Sequence, residues 1–209
     1  MDRTSTAVTV FNKLASQYAE RFLDVSLYAE SLDILCERLS KSDAEILELA
    51  CGPGNISLAI LDRCPQVKLH GTDLAPKMLE IAGKMNPEAE FSIMDARHLK
   101  SLKKEFDCIV CAFGLPYLSK EESLQLISDA ASMLRKDGLI YLSTMEDAYS
   151  SSGIQKGSTG DELYMYFHES QYLIEALEDC EFENIVTFRK KYVDSKGAAV
   201  IDLILIANR

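Results

Sequence analysis

The chain has 209 residues, 47% of them hydrophobic, which is enough to bury a single core, and no Pro-rich, Ser-rich or charged linker divides it. Its formal net charge of −11 argues against broad contact with nucleic acid, because neutralising phosphates takes Lys and Arg massed on one face, and no such cluster occurs. No run approaches the ~18 apolar residues of a membrane span, and the N-terminus lacks the apolar centre of a signal peptide, so a cytoplasmic protein without membrane attachment is expected.

In chain order, residues 1–40 read as an N-terminal helical cap, with Phe11, Leu14, Ala15, Tyr18 and Phe22 spaced along one helical face. An apolar strand, 44–50, then runs into the turn Cys51-Gly52-Pro53-Gly54-Asn55, with helix 55–64 behind it. Gly52 and Gly54 have no Cβ, so the backbone can take positive φ and a ligand can touch the main chain. A second strand, 67–72, delivers Asp73 about 20 residues beyond the glycines, where nucleotide-binding α/β folds place an acid on the ribose hydroxyls. Position 57 is Ser57 and not the third glycine of the dinucleotide pattern, which counts against a nicotinamide or flavin cofactor.

Helix 76–85 and strand 90–94 follow, and Asp95 is placed to cap a short helix over 96–100. Strand 106–112 carries Cys108 and Cys111, which point to opposite faces and so cannot chelate one metal; no metal site is expected. These two, with Cys36, Cys51, Cys64 and Cys180, read as free thiols of a reducing compartment. Helix 120–135 is expected to stop at Lys136-Asp137-Gly138, before strand 138–145. Segment 147–165, with Ser150-Ser151-Ser152-Gly153 and Gly157-Ser158-Thr159-Gly160, reads as a flexible lid. Helix 169–180 precedes a hairpin of 183–193 and 198–207, turning at Asp194-Ser195-Lys196-Gly197. The alternation implies a doubly wound, mostly parallel α/β sheet with helices on both faces, and the closing hairpin makes the last strand antiparallel.

The stretch Glu48-Leu49-Ala50-Cys51-Gly52-Pro53-Gly54-Asn55 resembles the first motif of the class I S-adenosylmethionine-dependent methyltransferases. The likeness continues through Gly71-Thr72-Asp73-Leu74-Ala75-Pro76-Lys77-Met78-Leu79, Met94-Asp95-Ala96, Phe106-Asp107-Cys108-Ile109-Val110-Cys111-Ala112-Phe113 and Leu134-Arg135-Lys136-Asp137-Gly138-Leu139-Ile140, in order and spacing over residues 44–145. The resemblance implies a single Rossmann-like domain, a seven-stranded sheet with its last strand reversed, and S-adenosylmethionine as cofactor. It carries Glu48, Ala50, Gly52, Gly54 and Asn55 onto the methionine end, Asp73 and Leu74 onto the ribose, and Asp95 and Ala96 onto the adenine edge. Phe113 flanks the ring, with Met78 and Ala112 in the same cofactor set. In similar methyltransferases the N-terminal helices close over the cofactor, which makes Tyr18 a donor to the methionine carboxylate and Tyr28 a weaker candidate.

The acceptor side is thinner. Ala112-Phe113-Gly114-Leu115-Pro116-Tyr117 shares only Pro-Tyr with the Asn-Pro-Pro-Tyr loop of methyltransferases that modify amide or nucleobase nitrogens, which lowers nucleic-acid and protein acceptors. A small-molecule acceptor therefore stands first, with a non-catalytic cofactor-binding protein and a macromolecular methyltransferase as alternatives. His168, beyond the lid beside Tyr164, Tyr166 and Glu169, is the candidate general base, and Tyr117 joins it as a candidate catalytic residue. The oligomer is open between monomer and homodimer.

Overall fold

The computed structural model describes residues 2–157, 159–193 and 197–209. Two helices, α1 (Arg3–Arg21) and α2 (Ala29–Arg38), precede the alternating elements β1 (Glu45–Leu49), α3 (Asn55–Arg63), β2 (Lys68–Asp73), α4 (Pro76–Met85) and β3 (Glu90–Ile93). Then come β4 (Phe106–Ala112), α5 (Lys120–Met133), β5 (Leu134–Met145), β6 (Gly153–Lys156), β7 (Glu162–Met165), α6 (Ser170–Asp179), β8 (Glu183–Val193) and β9 (Ala199–Asn208). Seven strands form one sheet in the order β3-β2-β1-β4-β5-β9-β8, and β9 is antiparallel to both of its neighbours. The expected mostly parallel Rossmann-like sheet with a reversed last strand is therefore present.

Strand alternation divides the core between the two faces. Leu47, Ile109, Ile140 and Leu142 pack with Leu126, Ile127, Leu173 and Leu177 of α5 and α6, while Ile46, Val110, Leu139 and Tyr141 pack with Leu32, Leu35, Ala59 and Ile60 of α2 and α3. Cys111 belongs to the first cluster and Cys108 to the second, as their spacing on a strand requires. All six cysteines are free. No helix among the described residues is long and apolar enough to cross a membrane.

Two boundaries differ from expectation. Helix α5 stops at Met133, because Leu134 already has extended backbone, and β5 begins there instead of at 138. Gly138 does not cap the helix: a Cβ on it would lie 2.8 Å from the Arg135 carbonyl and 3.2 Å from that of Asp107, so its role is to let an irregular strand lie against β4. Segment 147–165 is also more ordered than its Ser and Gly content suggests. It holds a short 3-10 turn, Tyr149–Ser151, and the antiparallel hairpin β6–β7. Ser158 and the expected turn residues 194–196 lie outside the described residues.

Candidate active site

Strand order reverses between β1 and β4, and at the carboxyl ends of these strands a cavity of about 510 Å³ opens. Its floor is the glycine turn. Gly52, at φ +55, has open space where a Cβ would sit, so the backbone there faces the cavity. Gly54 does something different: at φ +83 its missing Cβ would come within 3.0 Å of the Ala82 Cβ and 2.6 Å of the Asn86 amide nitrogen, and it does not line the cavity. It lets α3 start against α4, where Asn86 donates to the Gly54 carbonyl at 3.1 Å. Both glycines were expected to open the backbone to a ligand, and of the two only Gly52 faces the cavity. The other two special backbone positions at the rim, Ala50 at φ 51 and Phe113 at φ 57, are non-glycine residues directly beyond β1 and β4.

Beneath this turn the polar groups are buried. Asn55, the first residue of α3, is 7% exposed, and neither its amide nitrogen nor its oxygen has a hydrogen-bond partner among the described residues. Glu48, 1% exposed on β1, accepts from the Ser57 hydroxyl, and burial pushes its carboxyl up to about 8. Ser57 thus fills the position of the absent third glycine with a function of its own: its hydroxyl holds the Glu48 side chain. An open backbone position, an orphaned amide and a carboxyl with only a hydroxyl partner together suit the charged polar end of a ligand.

Asp73 ends β2 and stitches two loops together, its carboxylate accepting from the Gly52 amide at 2.9 Å and the Ala75 amide at 2.8 Å. Burial raises its carboxyl despite these amides. Asp95 caps the 3-10 segment Ala96–Leu102 by accepting from the Arg97 amide, and the Arg97 guanidinium clamps it at 2.5 Å. Burial alone would raise Asp95, but the Arg97 bonds outweigh it and hold it below the usual range. Arg97 is then shared with Glu122 at 2.9 Å. Leu74, Met78, Ala96, Ala112 and Phe113 complete this half of the wall.

Tyr18 and Tyr117 both line the cavity, each edge-on to Phe11, at centroid distances of 5.6 and 5.1 Å. Burial pushes the Tyr18 hydroxyl up to about 12, so it is a donor at neutral pH. His168 is elsewhere. It is 0% exposed, its Nε2 donates to the Leu115 carbonyl at 2.9 Å, and its Nδ1 is left to accept from the Tyr172 hydroxyl. Burial lowers its pKa, and it is absent from the cavity wall; the sequence placed it near the site, but its ring is consumed in tying α6 to the loop after β4. The general-base assignment is withdrawn.

The opposite wall consists of residues that no motif marked. Arg3 at the start of α1 bonds the Tyr166 hydroxyl and lies 3.6 Å over the Tyr164 ring, while Lys13 pairs with Asp161 at 2.7 Å, so α1 is held under the β6–β7 hairpin. Tyr28 and Tyr192 both donate to Asp202 of β9. Asp202 had one legible signal, a lone acid within the apolar run 199–207.

The sheet order and the glycine turn define a Rossmann-like α/β fold. A family model described as a methyltransferase domain matches residues 46–138. The chain is 27% identical over 139 residues to the demethylmenaquinone methyltransferase of Thermotoga maritima, covering 65% of this chain and 60% of that protein. It is 31% identical over 107 residues to the trans-aconitate 2-methyltransferase of an Enterobacter species, covering 51% of this chain and 41% of the relative. The chain thus spans about half the length of these curated relatives. The magnesium protoporphyrin IX methyltransferase of Synechocystis, solved with bound S-adenosylmethionine, shares the fold at a TM-score of 0.71 with 18% identity, over 100% of this chain and 98% of that one. Residues 46–138 are thus similar to a methyltransferase domain, and the chain as a whole has the fold of S-adenosylmethionine-dependent methyltransferases.

Proposed function

We propose that this protein transfers the methyl group of S-adenosylmethionine to a small-molecule acceptor. The observation that carries the reading is the orphaned Asn55 amide beside the open Gly52 backbone and the buried Glu48. These groups hold the methionine end, with Tyr18 as a further donor. Asp73 takes the ribose diol on the lone pairs its amide bonds leave free, and Asp95 and Ala96 take the adenine edge beside Phe113. Gly54 supports this site by packing α3, without touching the ligand.

S-adenosylmethionine held by these residues would supply an activated methyl group with a neutral thioether as leaving group, and any proton the acceptor sheds would pass to water. The protein's own task is alignment and exclusion of water. Phe11, Tyr18, Tyr117 and the β6–β7 hairpin enclose the reacting end, which suits the hairpin to act as the lid over the acceptor. Tyr117, whose hydroxyl is pushed up by burial, orients rather than deprotonates.

The acceptors named for the relatives, demethylmenaquinone and trans-aconitate, are small molecules, which supports that class here. The net charge of −11 supports it over nucleic acid. A cytoplasmic monomer or homodimer is the working form. The test is calorimetric titration with S-adenosylmethionine and S-adenosylhomocysteine, with NADH for comparison and Asp73→Ala as control. Micromolar binding of both sulfur ligands and none of NADH is expected; NADH binding in their place would sink the reading.

A further inference from the structure

Beyond the cofactor groups, the cavity wall contains a buried acid that the methyltransferase reading does not use. Asp202 is 1% exposed, yet it borders the cavity. The Tyr28 hydroxyl donates to its Oδ2 at 2.7 Å and the Tyr192 hydroxyl to its Oδ1 at 3.4 Å, so one oxygen is firmly held and the other loosely. No cation pairs with it among the described residues. Lys190, its register partner on β8, sends its ammonium to Glu30 at 2.8 Å, and Arg3 is spent on Tyr164 and Tyr166. Burying a carboxylate without a counter-charge costs several kcal/mol, and two phenols offset only part of that. The surroundings favour a cation: Tyr28 lies 5.3 Å from the Phe113 ring beside the cofactor half, and Phe22 and Tyr192 complete an aromatic wall.

We infer that Tyr28, Asp202 and Tyr192 form the acceptor anchor and that the acceptor carries a protonated amine, held by the Asp202 carboxylate within these rings. This rests on the methyltransferase reading above and narrows its substrate class. The register places the anchor correctly: Asp202 stands opposite Met145, at the same carboxyl end of the sheet as the glycine turn but two strands beyond β4. An acceptor carboxylate at this position would meet like charge in a desolvated wall. The amine is a recognition group, and the anchor leaves open whether it is also the methylated atom.

The test is calorimetry on the full chain saturated with S-adenosylhomocysteine, using phenethylamine, tyramine, histamine and agmatine against 3-phenylpropionate and 2-phenylethanol. Binding confined to one or more amines, weakened about tenfold or more in Asp202→Asn and restored towards the native value in Asp202→Glu, is the expected result. Retained S-adenosylhomocysteine affinity in the Asn variant shows that its site is intact. If that variant does not fold, selectivity of the native protein decides by itself. Preference for the carboxylate, amine affinity indifferent to Asp202→Asn, or no amine binding overturns the assignment. Failure of S-adenosylhomocysteine to bind the native protein removes the parent reading, and this one with it.

Discussion

The two halves of the cavity are built in opposite ways. The cofactor half is made of turns that follow β1, β2 and β4, each fixed by bonds between near neighbours in the sheet, such as Asp73 to the Gly52 and Ala75 amides. The half proposed for the acceptor is assembled from α1, the β6–β7 hairpin and strands β8 and β9, joined by side chains as distant in sequence as Arg3 and Tyr166 or Tyr28 and Asp202. A backbone-built half tolerates few changes and serves a constant ligand. A side-chain-built half can be respecified residue by residue, which suits an acceptor site.

The sharpest test of this contrast separates the two glycines. Gly54→Ala places a Cβ against Ala82 and Asn86 at positive φ and is expected to lower stability by about 3 kcal/mol, read as denaturant midpoint. Gly52→Ala meets open space, so its stability cost should stay near 1 kcal/mol while cofactor affinity collapses. Equal stability losses for the two would break the assignment of one to packing and the other to ligand.

His168→Ala comes next. It leaves the Leu115 carbonyl and the Tyr172 hydroxyl unpaired and opens a void, at about 3 kcal/mol in thermal unfolding, while cofactor affinity of the folded fraction stays unchanged. A variant of native stability with impaired methyl transfer would return the histidine to the active site. Asp73→Ala removes the acceptor shared by two amides and should weaken S-adenosylhomocysteine about a hundredfold by calorimetry.

Glu48 gives a pH signature. Its carboxyl rises from an ordinary 4.5 to about 8 on folding, so the stability it contributes is complete below the unfolded value and is lost as pH climbs through the folded one. The native protein should lose on the order of 2–4 kcal/mol from this group between about pH 4.5 and pH 8, a slope that Glu48→Gln flattens. Parallel pH profiles for the two proteins would show that Glu48 folds already ionised. The smallest effect belongs to the exposed Lys13–Asp161 pair: Lys13→Ala should leave the melting temperature in place but speed hydrogen exchange in β6–β7.

Legibility followed the same division. That Glu48, Gly52, Asn55, Asp73 and Asp95 would meet around one cavity was readable because strand, turn and acid recur at short spacing and leave a local pattern. The end of α5 was misjudged because Lys136-Asp137-Gly138 carries the composition of a helix stop, whereas Gly138 answers to the Asp107 carbonyl across the sheet. The β6–β7 hairpin was hidden by its serines and glycines, since two four-residue strands give too few alternations to register. His168 carried the chemistry of a base in its sequence neighbourhood, and only the packing of α6 showed both ring nitrogens engaged.

The sequence by itself determined the sheet, its reversed last strand and which strand ends and turns border the cavity, because hydrophobic period and turn chemistry act over a few residues and need no distant partner. Only the tertiary structure decided which glycine faces the cavity, that Ser57 serves Glu48, and that Tyr28 meets Asp202. Those contacts join positions up to 174 residues apart, and a hydrogen bond between such positions depends on how helices and strands pack, which leaves no periodic trace in either segment.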